Sequence, residues 1–212
     1  MGSMYVLLTI FFASLGLVQG RLVAPSLLVQ KNASLCERLH PEDLPEECSC
    51  REPGHYNVII ECLKDFESPY FNDTIGMKID LDPCNQDGSR LSLDVTERNH
   101  HIDFPIAGIT AGEARNIPIP GLSIAVPSVG HVGVDVAVLI TGNPDSLTLK
   151  VGLNACAALA HKMVCASSIP GLSSILPWYV LKGTYHFGDI CESKRTRSGI
   201  AATTRTGQVA DS

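Results

Sequence analysis

The amino-acid sequence predicts an all-β protein, an antiparallel sandwich or barrel of about seven to eight short strands that is held together by disulfides. Two observations lead to this fold class: apolar and polar residues alternate with a period of two in short runs, and turn residues separate the runs. A third observation is that no helical segment of ten or more residues stands between the runs, which argues against a doubly wound nucleotide-binding sheet.

The first runs lie in the first half of the chain. Residues 56–63 form one, with apolar side chains on one face. Residues 75–82 and 91–96 also alternate, and the segment PCNQDGS between them is typical of a turn, so these two runs predict a hairpin with one dry and one wet face. Residues 101–106 form a fourth run with weaker alternation.

The clearest pair of strands comes later. Residues 132–140 and 147–153 each place large aliphatic side chains at every second position, and the segment TGNPDS between them suits a hairpin loop. Residues 178–187 form the last run. The segment 154–165 fits a helical stripe as well as a strand, so one short helix near 154–165 stays open.

Residues 1–20 are typical of a secretory signal peptide: they carry no charge, and an apolar run is followed by small residues before a cleavage site expected near Gly20. No later stretch approaches the roughly 20 apolar residues of a transmembrane helix. We therefore expect a secreted, extracellular protein with no stable membrane anchor.

Composition divides the rest of the chain into three parts. Residues 21–55 form an acidic lead-in that contains cysteine, and residues 56–191 form the β domain. Residues 192–212 are rich in Ser, Thr and basic residues, so we expect a flexible basic tail, in which Lys194-Arg195 is a candidate processing site.

The cysteine count fits an oxidising compartment, where an even number of cysteines predicts disulfides rather than zinc ligands. The spacing of Cys48 and Cys50 differs from that of a zinc knuckle, and the sequence leaves the pairing open. Two sequons predict glycosylation at Asn32 and Asn72. The eight cysteines are Cys36, Cys48, Cys50, Cys62, Cys84, Cys156, Cys165 and Cys191.

The formal net charge of the chain is −6, and the basic residues of the tail make the body still more acidic. Nucleic acids and anionic membranes require clustered Lys and Arg side chains. We therefore expect no nucleic-acid partner.

Residues that could carry chemistry are few. The chain has no nucleophile motif, so we expect no enzymatic activity and no cofactor. The most suggestive ionisable group is His100-His101 with Asp103, but neighbouring residues of a strand point to opposite faces, so His101 and Asp103 supply only two metal ligands. Paired polar positions such as Asp94 and Thr96 fit solvated strand faces.

An apolar segment over 117–126 contains Pro118 and Pro120, which remove donors from a strand ladder. Such a segment either caps the core or forms the mouth of an apolar pocket. Its candidate ligand-facing side chains are Ile117, Ile119, Leu122, Ile124 and Val126.

The order of the cysteines also carries a resemblance. A Cys-x-Cys pair at 48–50 follows the acidic lead-in, a strand ends at Cys62, and three cysteines come late in the chain. In this the chain resembles an uncharacterised family of secreted, cysteine-framed β domains of invertebrates, some of which are venom or salivary proteins. The resemblance spans about 48–191 and implies no catalytic residues.

These observations predict a secreted, non-enzymatic protein that acts by binding through a disulfide-stabilised β scaffold. Its partner is then an extracellular protein or a small apolar ligand. Three alternatives stay open: a carrier of an apolar or lipid-like ligand, a venom or salivary effector, and a metal-dependent hydrolase.

Overall fold

The structure is a computed structural model, and part of the chain lies outside what it describes. The predicted signal peptide, the sequon residue Asn32 and the basic tail after Lys194 are outside the described part. The residues described are 33–69, 71–126, 130–159, 162–192 and 194.

Ten strands within the described residues form two antiparallel sheets of five strands each. In spatial order, the first sheet consists of β1 (Cys48–Arg51), β2 (Val58–Glu67), β3 (Asn72–Asp82), β4 (Arg90–Glu97) and β5 (Ile102–Thr110). The second consists of β10 (Trp178–Tyr185), β8 (Ser146–Leu159), β7 (Gly130–Asn143) and β6 (Glu113–Val126), and β9 (Lys162–Cys165) pairs with β8.

Helical structure is sparse in the described part of the chain. The helix α1 (Leu35–Arg38) begins after Ser34, whose hydroxyl accepts a hydrogen bond from the Glu37 N–H while the Glu37 carboxylate accepts one from the Ser34 N–H. Short 3-10 turns cover Pro41–Asp43 and Ala166–Ser168. None of the helices in the described residues has the length and apolar character that crossing a membrane requires.

The all-β, antiparallel class that the sequence predicts is confirmed, as are the two predicted hairpins, which are β3–β4 and β7–β8. The count of seven to eight strands is too low for the described residues. The four-residue strands β1 and β9 are too short to show alternation. In β6 the two prolines argue against a strand, although the segment forms one.

The helix left open near 154–165 does not form in the described residues. Residues up to Leu159 continue β8, and Lys162–Cys165 form β9. Cys156 and Cys165 are opposite each other in this hairpin, so their disulfide fixes the strand pairing.

Buried side chains from both sheets belong to a single hydrophobic cluster. The alternating aliphatic residues of β7 and β8 are almost completely buried, as the period of two requires. An aromatic contact links the sheets: the rings of Phe66 on β2 and Trp178 on β10 are edge to face, with centroids 5.7 Å apart.

Four disulfides use all eight cysteines, so the predicted disulfide framework is confirmed and its pairing is now defined. Three of them close short loops. The fourth connects the turn after β3 to the helical turn that follows β10, and therefore joins the first sheet to the last described segment of the chain. The pairs are Cys36–Cys50, Cys48–Cys62, Cys156–Cys165 and Cys84–Cys191.

Candidate functional site

A buried pair of carboxyl groups lies at the end of the first sheet, where β3 begins and β4 ends. Asp73 and Glu97 are 4 % and 2 % exposed, respectively. The imidazole of His100, in the turn after β4, is largely exposed, and its Nδ1 is 3.1 Å from Glu97 Oε2 and 3.4 Å from Asp73 Oδ2. We refer to these three side chains as the carboxyl cluster.

Hydrogen bonds from the surrounding backbone and amide groups hold the carboxyl cluster in place. Asp73 Oδ1 accepts from the Thr74 N–H and from Asn99 Nδ2, each at 2.8 Å. Glu97 accepts from the backbone N–H of Asn99 and, at 2.7 Å, from that of His100. These hydrogen bonds therefore connect the turn between β4 and β5 to the end of β4 and to the start of β3.

The pKa values of the two carboxyl groups are shifted in opposite directions. Burial, and next the hydrogen bond with Glu97, raise the pKa of Asp73 to about 6. Burial also opposes the charge on Glu97, but the hydrogen bond with Asp73 and the two backbone N–H groups outweigh it, so the pKa of Glu97 is below its ordinary value. As pH rises, Glu97 therefore loses its proton first, and Asp73 becomes charged only as pH rises through about 6.

The atoms of the carboxyl cluster lie within 4.8 Å of one another, close enough for a cation to contact all three side chains. Protein donors already occupy the carboxylate oxygens, however, and a cation would have to compete with them. Both carboxyl groups are also too buried to reach a substrate. We therefore assign the cluster to the stability of this turn and not to catalysis.

The histidine and aspartate considered from the sequence lie elsewhere. His101 is exposed and adopts a left-handed backbone conformation, with φ of 55°. Asp103 is exposed on β5, opposite Thr96. The structure brings His100 together with Asp73 and Glu97. Sequence spacing gives no signal for the complete cluster, because Asp73 comes from a different strand than Glu97.

A groove crosses the outer face of the first sheet and has a volume of about 540 Å³. Its floor is Gly76, which lies between Leu63 on β2 and Thr96 on β4 in one cross-strand row. A Cβ on Gly76 would be 2.4 Å from Thr96 Oγ1, so a side chain at this position would require Thr96 to move. The missing side chain therefore creates the depression.

The walls of this groove carry more negative than positive charge. Glu61, Asp94 and Asp103 line it together with one cation, Lys78. Lys78 Nζ is 3.8 Å from Asp94 Oδ2, and Arg51, outside the groove, hydrogen-bonds to Glu61 and lowers its pKa. Asp103 has no ion-pair partner in the described part of the chain. We call this depression the acidic groove.

An exposed leucine lies in the acidic groove. Leu63 points outward between the polar residues Glu61 and Asp65 of β2, and 45 % of its surface is exposed. Its neighbour across the strands is Gly76, so no side chain covers it from that side. The sequence contains this signal, because an apolar residue occupies an outward position of an otherwise alternating strand.

The apolar segment with two prolines is the edge strand β6 of the second sheet. Its pairing with β7 shifts register between Pro118 and Ser123, where Gly121 has a φ of 82°. Among the side chains considered for an apolar ligand, one is half-buried and four pack into the core. The half-buried one is Ile117, and the four are Ile119, Leu122, Ile124 and Val126.

The sequon residue Asn72 is exposed and begins β3, and the hydroxyl of Thr74 in the same sequon donates a hydrogen bond to Asp65 Oδ1 at 2.6 Å. Lys194, in the candidate processing pair, donates to the Cys84 carbonyl at 3.1 Å and is 3.6 Å from Asp82.

Comparisons of the chain with protein-family models, with curated proteins and with solved structures return no match. The functional inference therefore depends on the geometry of the chain itself.

Proposed function

We propose that the chain is a secreted, non-enzymatic protein that binds a polypeptide partner in the acidic groove. The partner presents a basic side chain beside an apolar one. The two sheets pack as a sandwich in this proposal, so their inner faces share the core and their outer faces are free to bind. The observation that carries the proposal is the exposed Leu63 within a groove whose walls are mainly acidic.

The dimensions of the acidic groove suit an extended peptide. Its lining residues come from four neighbouring strands, β2 to β5. Three inter-strand spacings amount to about 14 Å, which is the length of about four extended residues. The groove is therefore long enough for a short segment and has the shallow, open shape of a sheet face.

The chemistry of the groove selects the partner. An apolar side chain that covers Leu63 removes apolar surface of both partners from water. A Lys or Arg side chain next to it gains from Asp103, which lacks an ion pair among the described residues, and from Asp94. Complementary charge of this kind favours encounter and orientation more than it adds raw affinity.

The test uses a hexapeptide library displayed on phage and selected on the secreted, disulfide-bonded protein. We expect the selected peptides to combine Lys or Arg with a neighbouring aliphatic or aromatic residue. A selected peptide is then labelled, and its Kd is measured by fluorescence anisotropy. Peptides without enrichment in basic residues would contradict the proposal.

Matched charge variants locate the site. The double variant Asp94→Asn/Asp103→Asn should raise the Kd about tenfold, because each exposed ion pair contributes up to about fivefold. The control, Asp43→Asn/Asp87→Asn, removes the same charge from two exposed turns outside the groove. Leu63→Ser should weaken binding as well. Equal losses in the two double variants would place the peptide elsewhere and overturn the assignment.

A further inference from the structure

The structure assigns a second binding site, for an acidic polysaccharide, to the outer face of the second sheet. The site is centred on Tyr179 and the two lysines beside it, Lys150 and Lys182, and we call it the lysine–tyrosine site. It lies on a different sheet from the acidic groove and takes a ligand of opposite charge.

A bulge in β10 brings the residues of this site together. The register of β10 against β8 shifts between Tyr179 and Leu181. As a result, Val180 and Leu181 both point into the core, with 2 % and 0 % of their surfaces exposed. Tyr179 and Lys182 then share the outer face, although simple alternation would put them on opposite faces.

Tyr179 covers a glycine on the neighbouring strand. A Cβ on Gly152 would be 2.8 Å from Tyr179 Cδ1 and 2.2 Å from the carbonyl oxygen of Trp178. Only glycine therefore allows the ring to lie in this position. Next to Gly152 on β7 is Ala137, so the surface beside the ring is flat and apolar.

Two positive charges converge on the same ring. Lys150 Nζ and Lys182 Nζ are 4.7 Å and 5.5 Å from the Tyr179 ring centroid, and the two lysines are opposite each other on β8 and β10. Like charges at opposite positions of a strand pair repel each other. Neither ammonium group has a carboxylate partner in the described part of the chain. An oxyanion between them would remove this repulsion.

Other groups on this face extend the site. The hydroxyls of Thr148 and Thr184 are 2.9 Å apart in the row next to the lysines. On the other side, Lys150 borders a shallow depression of about 260 Å³ that extends over Ala137 to Asn116 on the edge strand β6. Among the described residues that the strand register places on this face, the acidic one is Asp135, two rows away from Lys150.

These features match an acidic polysaccharide better than an isolated anion. The lysines bind a sulfate or carboxylate group, the Tyr179 ring and the Gly152 and Ala137 surface contact the C–H face of a sugar ring, and the threonines bond to hydroxyls. A chain of such units can follow the cross-strand row that runs from Tyr179 on β10 to Asn116 on β6.

The experiment measures binding of a heparin hexasaccharide to the full secreted protein by isothermal titration calorimetry. The double variant Lys150→Gln/Lys182→Gln should raise the Kd about tenfold, and the dependence of affinity on salt should weaken. Tyr179→Leu should lower affinity while both charges stay in place. The control Lys78→Gln removes a cation from the acidic groove and should leave the Kd unchanged or lower it.

Three results would overturn the proposal. The first is that the wild-type protein does not bind the hexasaccharide, and the second is that Lys78→Gln weakens binding as much as Lys150→Gln/Lys182→Gln does. The third is that the protein binds phosphatidylserine vesicles or a single-stranded oligonucleotide more tightly than the sugar. A hyaluronan fragment, which carries carboxylates but no sulfate, shows which anionic group the site prefers. Tighter binding of the heparin hexasaccharide indicates sulfate, tighter binding of hyaluronan indicates carboxylate, and both results support the proposal.

Discussion

Removal of the Cys84–Cys191 disulfide should destabilise the protein more than removal of any other. In the chain-entropy description, a disulfide restricts the unfolded chain more strongly when it closes a longer loop. This disulfide joins residues 107 positions apart, whereas Cys156–Cys165 joins residues 9 positions apart. At 25 °C these loop lengths correspond to about 4.8 and about 2.6 kcal/mol of stabilisation.

The assay compares Cys84→Ala/Cys191→Ala with the matched control Cys156→Ala/Cys165→Ala by urea denaturation. We expect the first variant to be less stable than the second by about 2 kcal/mol, which corresponds to about 4–8 °C in Tm for a chain of this size. Cys84 and Cys191 are also more buried than the control pair, and their lost packing adds to the difference. Equal destabilisation of the two variants would refute the loop-length reasoning.

Two further predictions concern the carboxyl cluster and a hairpin. Because the pKa of Asp73 is raised to about 6, its contribution to stability is present at low pH and is lost as pH rises through 6. Relative to Asp73→Asn, the wild type should gain about 2 kcal/mol between pH 7 and pH 4 in urea unfolding, and a pH-independent difference would contradict this. Gly142→Ala should cost about 2 kcal/mol or more, because Gly142 has a φ of 96° and a Cβ there would be 2.1 Å from the Ser146 carbonyl oxygen. Gly133→Ala on the same strand, where a Cβ meets nothing within 4 Å, should cost much less in the same assay.

Alternation predicts the fold class well because it reports which side chains are buried. The runs at 75–82 and 91–96 are adjacent in sequence and pair as β3–β4, and the same holds for β7–β8. Alternation fails where a strand is very short or where its ladder is interrupted. The register shift between Pro118 and Ser123 interrupts β6, and the segment was for this reason not recognisable as a strand.

The pentapeptide IPGLS, which occurs at 119–123 and again at 169–173, shows a second limit of local sequence. Gly121 and Gly171 occupy the same position in the two copies, and both have positive φ, at 82° and 85°. The first copy nevertheless lies within β6, whereas the second lies in a turn before β10. Local chemistry determines the backbone conformation of Pro-Gly, but the neighbouring strands determine whether it becomes a bulge or a turn.

The proposed binding surfaces could be predicted only in part. Leu63 is recognisable as an apolar residue at an outward position, and Asp94 with Thr96 as a polar strand face. Gly76 forms the floor of the acidic groove only because Leu63 and Thr96 lie on either side of it. Recognising this requires knowledge of how three strands align. The acidic groove depends on which residues of neighbouring strands lie side by side, and the pattern within one strand does not show this.

The net charge of −6 led to the expectation of no nucleic-acid partner, and the proposed lysine–tyrosine site illustrates why net charge acts only over long distances. At physiological ionic strength, charges are screened over about 8 Å. A sulfate or carboxylate at Tyr179 therefore responds mainly to Lys150 and Lys182, whose ammonium groups lie within 5.5 Å of the ring centroid. The carboxylates of the acidic groove belong to the other sheet and contribute a weak, salt-sensitive repulsion. Net charge determines whether two molecules approach at low salt, whereas the charges within one screening length determine which face binds.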